Sequence, residues 1–465
     1  MENVIHDELL QVVFAKLSSS CSSSLSLVSK RWLNLYRSSR SCLSVKFLTM
    51  DESTESSLAA FLLQFPFLSS LSIIPSPESS NSFAFTDQIL LAVSTTCPKL
   101  TCLRFLIGPL SCSSLASLPY SFSLLSSLTL PLSRPLYFCW VASFSCLKEL
   151  NIRVVDGKVP SLRNEEFRDE TTTLGVENVS ISGLRRDDIG AGWLWRRCGN
   201  LKRLRLSSCE GVGDGGSFHS FVHCFNTLQD LELRTCRTLV HALLLKLSDY
   251  CETLTSLLIY DGGTTEGLLT FITNSRSNLQ KLDLRLPLDL NNHHLLAASQ
   301  SFRGLVSLRL QSCCLVTGDG LRALGVSLSS TLEELGLINC DVVGEEPGLL
   351  ASLGQNLKNL KTLDLSYNEL LIDKELISML VSFNCLEELR LRGCKRISNV
   401  ATMCMMKSCK WLKKLDIAEC SNVGADSIEL LLINLERIIC IQVEDNKLSD
   451  SAKSLAAHKF VRIEV

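Results

Sequence analysis

The sequence predicts an α/β fold in which a short helical module precedes a solenoid of about sixteen strand–helix repeats, their strands forming one parallel concave sheet. Three observations predict it. The stretch LEELRLRGCKRISNVATMCMMKSCKWLKKLDIAEC (386–420) states one pattern and restates it 26 residues later, Leu386, Leu389 and Leu391 ending in Cys394, then Leu412, Leu415 and Ile417 ending in Cys420. The opening residue of that pattern recurs along most of the chain. The first forty or so residues follow a different, helical spacing. No single unit of this kind can bury its own apolar face, so stacking creates the core.

Within residues 1–40, Ile5, Leu9, Leu10, Val13, Phe14 and Leu17 fall three and four apart and line one face of a helix. A serine-rich turn, Ser18 to Ser24, breaks it. Leu25, Val28, Trp32 and Leu35 resume the helical spacing, with Lys30 and Arg31 just before the tryptophan. Between about 41 and 67 the apolar positions are too sparse to phase.

From there the opening residue recurs at Leu68, Leu100, Leu125, Leu147, Val176, Leu201, Leu228, Leu254, Leu279, Leu305, Leu332, Leu360, Leu386, Leu412 and Leu435. Val176, Val179 and Ile181 supply β-branched substitutes in what otherwise reads as a missing unit, and Phe460, Ile463 and Val465 read as a last strand. The pattern is that of a leucine-rich repeat, whose stacked form is a horseshoe. Three irregular stretches, PSPESSNS (75–82), PLSRPLYFCW (131–140) and DGKVPSLRNEEFRDET (156–171), are tolerated insertions or recognition loops.

Strand side chains alternate, so if the leucines point into the core, their neighbours face the concave surface. From Leu201 onward the residue after the second leucine reads Arg205, Glu232, Leu258, Asp283, Arg309, Gly336, Asp364, Arg390 and Asp416. Cross-strand pairing is expected of Arg205 with Glu232, of Asp283 with Arg309, and of Arg390 with both Asp364 and Asp416. Beside this row run Arg234, Tyr260, Arg285, Ile338 and Arg392. Arginine and tyrosine are frequent interface anchors, so Arg205, Arg234, Tyr260, Arg285, Arg309, Ile338, Arg390 and Arg392 are the candidate target-binding residues.

The 21 cysteines are not a disulfide framework. Their number is odd, and Cys209, Cys236, Cys313, Cys340, Cys394 and Cys420 share one repeat position, which Asn368 takes in LDLSYN. A small inward side chain that bonds neighbouring backbone groups suits that place, so Cys209, Cys340 and Cys394 are expected buried, reduced and unbridged. No C-x-x-C spacing occurs, and no metal or cofactor is expected. GVGDGG (211–216) occupies a repeat turn, without a Walker lysine. His219 and His223, four apart, and the pair His293-His294 read as residues of repeat helices, and nothing resembles an ordered nucleophile, base and oxyanion hole.

Composition narrows the function classes. A net charge of −2 gives no support to binding of nucleic acid or an anionic membrane. No apolar run approaches a membrane span, and MENVIHDELL is acidic where a signal peptide is basic. The expectation is a soluble intracellular protein, nuclear or cytoplasmic.

IHDELLQVVFAKL followed by LSLVSKRWLNL resembles an F-box, whose usual run is Leu-Pro-x-Glu-Leu-Leu, a Phe and a Leu further on, then Val-x-Lys-x-Trp. His6 stands where that family has proline, and Ile5 where it has leucine. The order of parts, residues 1–45 as an F-box-like module and 46–465 as repeats, is similar to the F-box/leucine-rich-repeat proteins with cysteine-containing repeats. The resemblance implies a non-catalytic substrate receptor of an SCF-type ubiquitin ligase. The F-box would bind a Skp-type adaptor, and through it a cullin and a RING protein, while the repeats hold a target protein. Ile5, Leu9, Leu10, Val13, Phe14, Leu17, Leu27, Val28, Lys30 and Trp32 would then be the adaptor-binding residues. Two other readings stay open: an interaction scaffold whose first residues only cap the solenoid, and a small-molecule co-receptor, which needs a pocket floored by basic residues that the alternating signs of the inner rows do not provide.

Overall fold

The computed structural model describes residues 6–17, 22–47, 54–75, 83–156, 173–287 and 289–464. It consists of two compact units, Met1–Thr227 and Leu228–Val465.

The first unit opens with three helices, α1 (Asp7–Lys16), α2 (Ser22–Val28) and α3 (Lys30–Ser39). Among the described residues seven strands follow: β1 (Cys42–Lys46), β2 (Ser70–Ile74), β3 (Cys102–Phe105), β4 (Ser127–Ser133), β5 (Glu149–Val155), β6 (Asn178–Ser182) and β7 (Arg203–Ser207). Each pairs in parallel with the next, and Leu43, Leu71, Leu103, Leu128, Leu150, Val179 and Leu204 stand in one register column. Helical segments such as Phe83–Thr96 and Ala191–Arg197 lie between the strands.

Among its described residues the second unit carries ten strands: β8 (Asp230–Arg234), β9 (Ser256–Tyr260), β10 (Lys281–Arg285), β11 (Ser307–Gln311), β12 (Glu334–Ile338), β13 (Thr362–Asp364), β14 (Glu388–Arg390), β15 (Lys414–Asp416), β16 (Cys440–Gln442) and β17 (Arg462–Glu464). They too are parallel and in sequence order, with the column Leu231, Leu257, Leu282, Leu308, Leu335, Leu363, Leu389, Leu415, Ile441 and Ile463. The fold is therefore an α/β leucine-rich-repeat solenoid. From Leu231 to Leu415 every member of the column is 2% exposed or less. Full burial of such a side chain contributes roughly 1.5–3 kcal/mol.

Several expectations need correction. β1 lies in the stretch that gave no phase, and the expected boundary between residues 45 and 46 falls inside it. The unit after Leu412 opens at Ile438 rather than Leu435, because Leu415 pairs with Ile441. Phe460 does not enter the last unit's core but stands 92% exposed, while Val461 beside it is buried. Pro131 to Ser133 are not a loop; they extend β4 and pair with Arg153 to Val155. In the helical module α2 already starts at Ser22, and Ser29 separates it from α3 by accepting a hydrogen bond from the Trp32 amide at 3.2 Å. His223 sits on a short 3-10 helix, Phe221–Asn226, and His219 precedes it. Most of the stretches 75–82 and 156–171, together with Ile5 and Val465, lie outside the described residues.

After each of the strands β6 to β15 the backbone turns through the left-handed region, at Ser208, Asp261, Ser312, Asn339, Tyr367, Gly393 and Glu419 among others. An L-residue there is strained by about 1–2 kcal/mol. The turn aims the next side chain inward, and this is the cysteine position. Cys394 Sγ lies 3.1 Å from the Leu365 carbonyl oxygen and Cys420 Sγ 3.0 Å from that of Leu391. Asn368 does the same work more completely: its Nδ2 donates to Leu337 O (2.7 Å) and Leu365 O (2.8 Å), and its Oδ1 accepts from the Cys340 amide (2.9 Å). Cys209, Cys340 and Cys394 are buried, and all three are free thiols. Burial pushes the Cys394 thiol up to about 12 and the Cys420 thiol up to about 11, well away from a reactive thiolate.

Asn368 gives the first test. Asn368→Ala strands two carbonyls and an amide in the core and should destabilise the second unit by about 2–3 kcal/mol. Asn368→Cys, the residue of the sister repeats, should cost less than half as much. Urea unfolding midpoints of the two variants measure the difference; equal losses would show that the side chain's bonds are immaterial.

Candidate functional site

Two surfaces hold the candidate residues, the helical module and the solvent-facing side of strands that all lie in the second unit except β7, which carries Arg205. In α1, Leu10 and Phe14 are four apart and fall on one side of the helix. Both are buried and form a small core with Leu25, against which Leu17, Trp32, Leu35 and Tyr36 pack. The Phe14 ring stands 5.3 Å from that of Trp32 and meets Tyr36 edge-on at 6.4 Å. Polar contacts close the periphery: Arg31 Nε donates to Asp7 Oδ1 (3.0 Å), Gln11 to Ser38 (3.1 Å) and Arg40 to Leu17 O (3.1 Å).

This arrangement sorts the expected adaptor residues. Leu10 and Phe14 are not surface groups; they hold the three helices together. Trp32 and Leu17 are half-buried against them. Leu9, Val13, Leu27 and Val28 are exposed, Leu27 to 86%, as is Lys30. Val12 is also exposed, and sequence reasoning missed it although it lies three residues from Leu9, on a neighbouring helical position. His6, in the place of proline, takes φ −61°, the value a proline ring would impose, so the chain enters α1 as a proline would lead it.

On the strand face the arginines are held by carboxylates of the same unit, but mostly not the expected ones. Arg285 donates to both oxygens of Asp283, two residues back on the same strand (2.9 and 2.7 Å). Arg234 likewise takes Glu232, and Arg390 takes Glu388. The expected bond from Asp283 to Arg309 is absent because Arg309 reaches past Gly336 to Asp364, with Nη2 2.7 Å from Oδ2. Gly336 leaves that path open: a Cβ there would lie 2.9 Å from Arg309 Cγ. Arg390 approaches Asp364 at 3.6 Å as expected, whereas Asp416 pairs instead with Arg392, at 3.1 Å. Ile338 is buried and does not face solvent, while Tyr260 is half-exposed and Arg205 lies exposed on β7 in the first unit.

Asp364 and Asp416 are almost fully buried at the base of this face. Backbone and side-chain donors meet them: Ser366 gives its amide (3.0 Å) and hydroxyl (2.6 Å) to Asp364, and Ala418 its amide (3.1 Å) to Asp416. Burial pushes the Asp416 carboxyl up, with the Ala418 amide and Arg392 opposing it. The face is therefore largely neutralised. It presents organised arginine forks rather than a free positive field, and among the described residues no cluster of side chains is arranged to hold a metal ion.

No family model matches the chain. Among solved structures, it is similar to a chain of the yeast Rad7 and Elc1 complex, with 17% identity and a TM-score of 0.47, over 96% of this chain and 90% of that one. A leucine-rich-repeat protein of Leptospira interrogans is similar at 14% identity and a TM-score of 0.38, over 100% and 99% of the two chains. Likenesses this distant assign no function.

Arg392 supplies a pH test. A carboxyl whose folded pKa is raised binds its proton more tightly folded than unfolded, so its penalty is present above the folded pKa and is relieved as pH falls through it. Arg392→Ala removes the cation that limits this penalty, and should cost about 1–3 kcal/mol near pH 7. The loss should shrink as pH falls through the raised pKa of Asp416. Unfolding free energies across that range check it; a pH-independent loss would mean the pair does not govern the effect.

Proposed function

We propose that this chain is the substrate-recognition subunit of an SCF-type ubiquitin-protein ligase. The F-box-like module captures a Skp-type adaptor, and through it a cullin and a RING protein, while the repeats hold a target protein. One observation carries the reading. The module completes a core of its own with Leu10, Phe14 and Leu25, yet leaves Leu9, Val12, Val13, Leu27 and Val28 in solvent. Five large apolar side chains on so small a module are what a partner covers. The F-box-like spacing of Glu8, Leu9 and Leu10 with Lys30, Arg31 and Trp32 names the kind of partner.

The chain does no bond chemistry in this reading. It raises the effective concentration of the target beside a ubiquitin-charged enzyme. Target contacts fall to Arg205, Arg234, Tyr260, Arg285, Arg309, Arg390 and Arg392; the forks of Arg234, Arg285, Arg309, Arg390 and Arg392 are pre-oriented by neighbouring carboxylates and so lose little freedom on binding. The work is intracellular, nuclear or cytoplasmic, and requires no cofactor, nucleic acid or membrane. No described helix is long and apolar enough to cross a bilayer.

Co-purification of the full chain with a Skp-type adaptor tests the reading. Leu9→Asp with Val28→Asp places charges on the exposed face and leaves the core intact. It should weaken adaptor capture by about thirtyfold or more, the cost of losing an interface anchor of about 2 kcal/mol. Circular dichroism and the unfolding midpoint should not change. Leu10→Ala should instead destabilise the module by about 2–5 kcal/mol, because it opens the core. If the double variant captures adaptor at the parental level, the ligase reading fails and the scaffold reading replaces it.

A further inference from the structure

A cleft of about 760 Å3 opens in the first unit, between the segment that follows β4 and the turn and helix that follow β6. Its volume falls in the range of ligand-binding sites, about 300–1,000 Å3. The cleft is built rather than left over. Arg134 ties its two walls together, donating to Asp188 Oδ1 at 2.8 Å and to the Gly183 carbonyl at 2.6 Å. The walls also touch directly at Gly190, where a Cβ would stand 1.8 Å from the Leu136 carbonyl oxygen, so no other residue fits. Leu136 and Phe138 are buried beneath it, and the half-exposed Tyr137 and Trp193 form its sides.

Two features identify the occupant. The apolar surface does not stop inside the cleft: Ile189 on its rim is 73% exposed, and Pro135 is exposed too. A small ligand enclosed within would leave that rim wet, whereas a protein segment lying across the opening covers both. The second feature is charge. The two segments that build the cleft, residues 134–139 and 183–197, carry five arginines against two aspartates, in a chain whose net charge is −2. Asp188 is taken by Arg134, and Asp156, just after β5, is held by Arg134 and Arg185. Arg196, which lines the cleft, donates to the neutral Ser220 hydroxyl at 2.9 Å and keeps its charge.

We propose that this cleft is a docking site for an acidic segment of a partner protein that carries a bulky apolar side chain. The apolar residue enters between Tyr137 and Trp193, its backbone crosses Ile189, and flanking carboxylates meet Arg196 and the basic surface beyond. A charged interface of this kind is fast and salt-sensitive, while the buried anchor supplies the lifetime of the complex. The site is separate from the exposed residues of the helical module and does not depend on the adaptor reading.

Fluorescence anisotropy with the full chain and three short labelled peptides tests it: a phenylalanine flanked by glutamates, the same peptide flanked by lysines, and the glutamate peptide with alanine in place of phenylalanine. The first should bind, and the other two should bind at least about tenfold more weakly, a difference of roughly 1.4 kcal/mol. Raising salt should weaken the first. Ile189→Asp and Arg196→Glu, both at exposed side chains, should each reduce its binding about tenfold with no change in unfolding midpoint. Arg196→Glu should also narrow the gap between the acidic and basic peptides, a change that simple misfolding would not produce. Leu9→Asp with Val28→Asp should leave peptide binding untouched, which separates this result from the adaptor experiment. The proposal is overturned if no peptide binds, if the lysine and glutamate peptides bind alike, or if Ile189→Asp has no effect.

Discussion

Register between neighbouring strands is the constraint on which everything else in this protein rests. In each unit one column of leucines and their β-branched substitutes must align strand after strand, because a slip of one residue would turn every one of them from core to solvent. Alignment then fixes what surrounds the column. It places the left-handed turn at the same point of successive repeats, aims Cys or Asn into the bend, and sets arginines and carboxylates in rows on the opposite face. The apolar contacts supply the energy, and the Asn368 and cysteine bonds prevent that energy from being lost to unsatisfied carbonyls.

Much of this was legible in the sequence because a period near 26 forces the same residue type into the same place many times over. The β-branched unit at Val176, Val179 and Ile181 could be read for that reason. The failures occurred where one repeat offers two answers or none. LERIICIQV (435–443) supplies apolar residues in two phases, both of them buried, and only pairing of Leu415 with Ile441 decides between them. At β1 a five-residue strand, CLSVK, has little apolar signal beyond Leu43 and Val45. Ion-pair partners were the least legible. The expectation weighed only the 4.8 Å or so between strands, whereas a long arginine fork can fold back on a carboxylate two residues away, as Arg285 does on Asp283. Nor does a sequence row reveal that Gly336 opens a path for Arg309 to Asp364.

The helical module teaches a related lesson. Helical spacing placed Leu9, Leu10, Val13 and Phe14 on one stripe, but the stripe is wide and only Leu10 and Phe14 of these turn fully inward. The remainder is surplus to the core, and it is this surplus that carries the functional reading. By contrast the strand face is chemically quiet, its buried carboxylates met by arginines and backbone amides. The two surfaces are thus suited to different tasks, one to apolar capture and the other to oriented polar recognition.

The most direct measurement of the central claim is amide hydrogen exchange of the full chain with and without a purified Skp-type adaptor. The account predicts slowed exchange in α1 and α2, the elements that carry Leu9, Val12, Val13, Leu27 and Val28, with strands β8 to β17 unchanged. Protection confined to the strands of the second unit, or no protection anywhere at saturating adaptor, would contradict it.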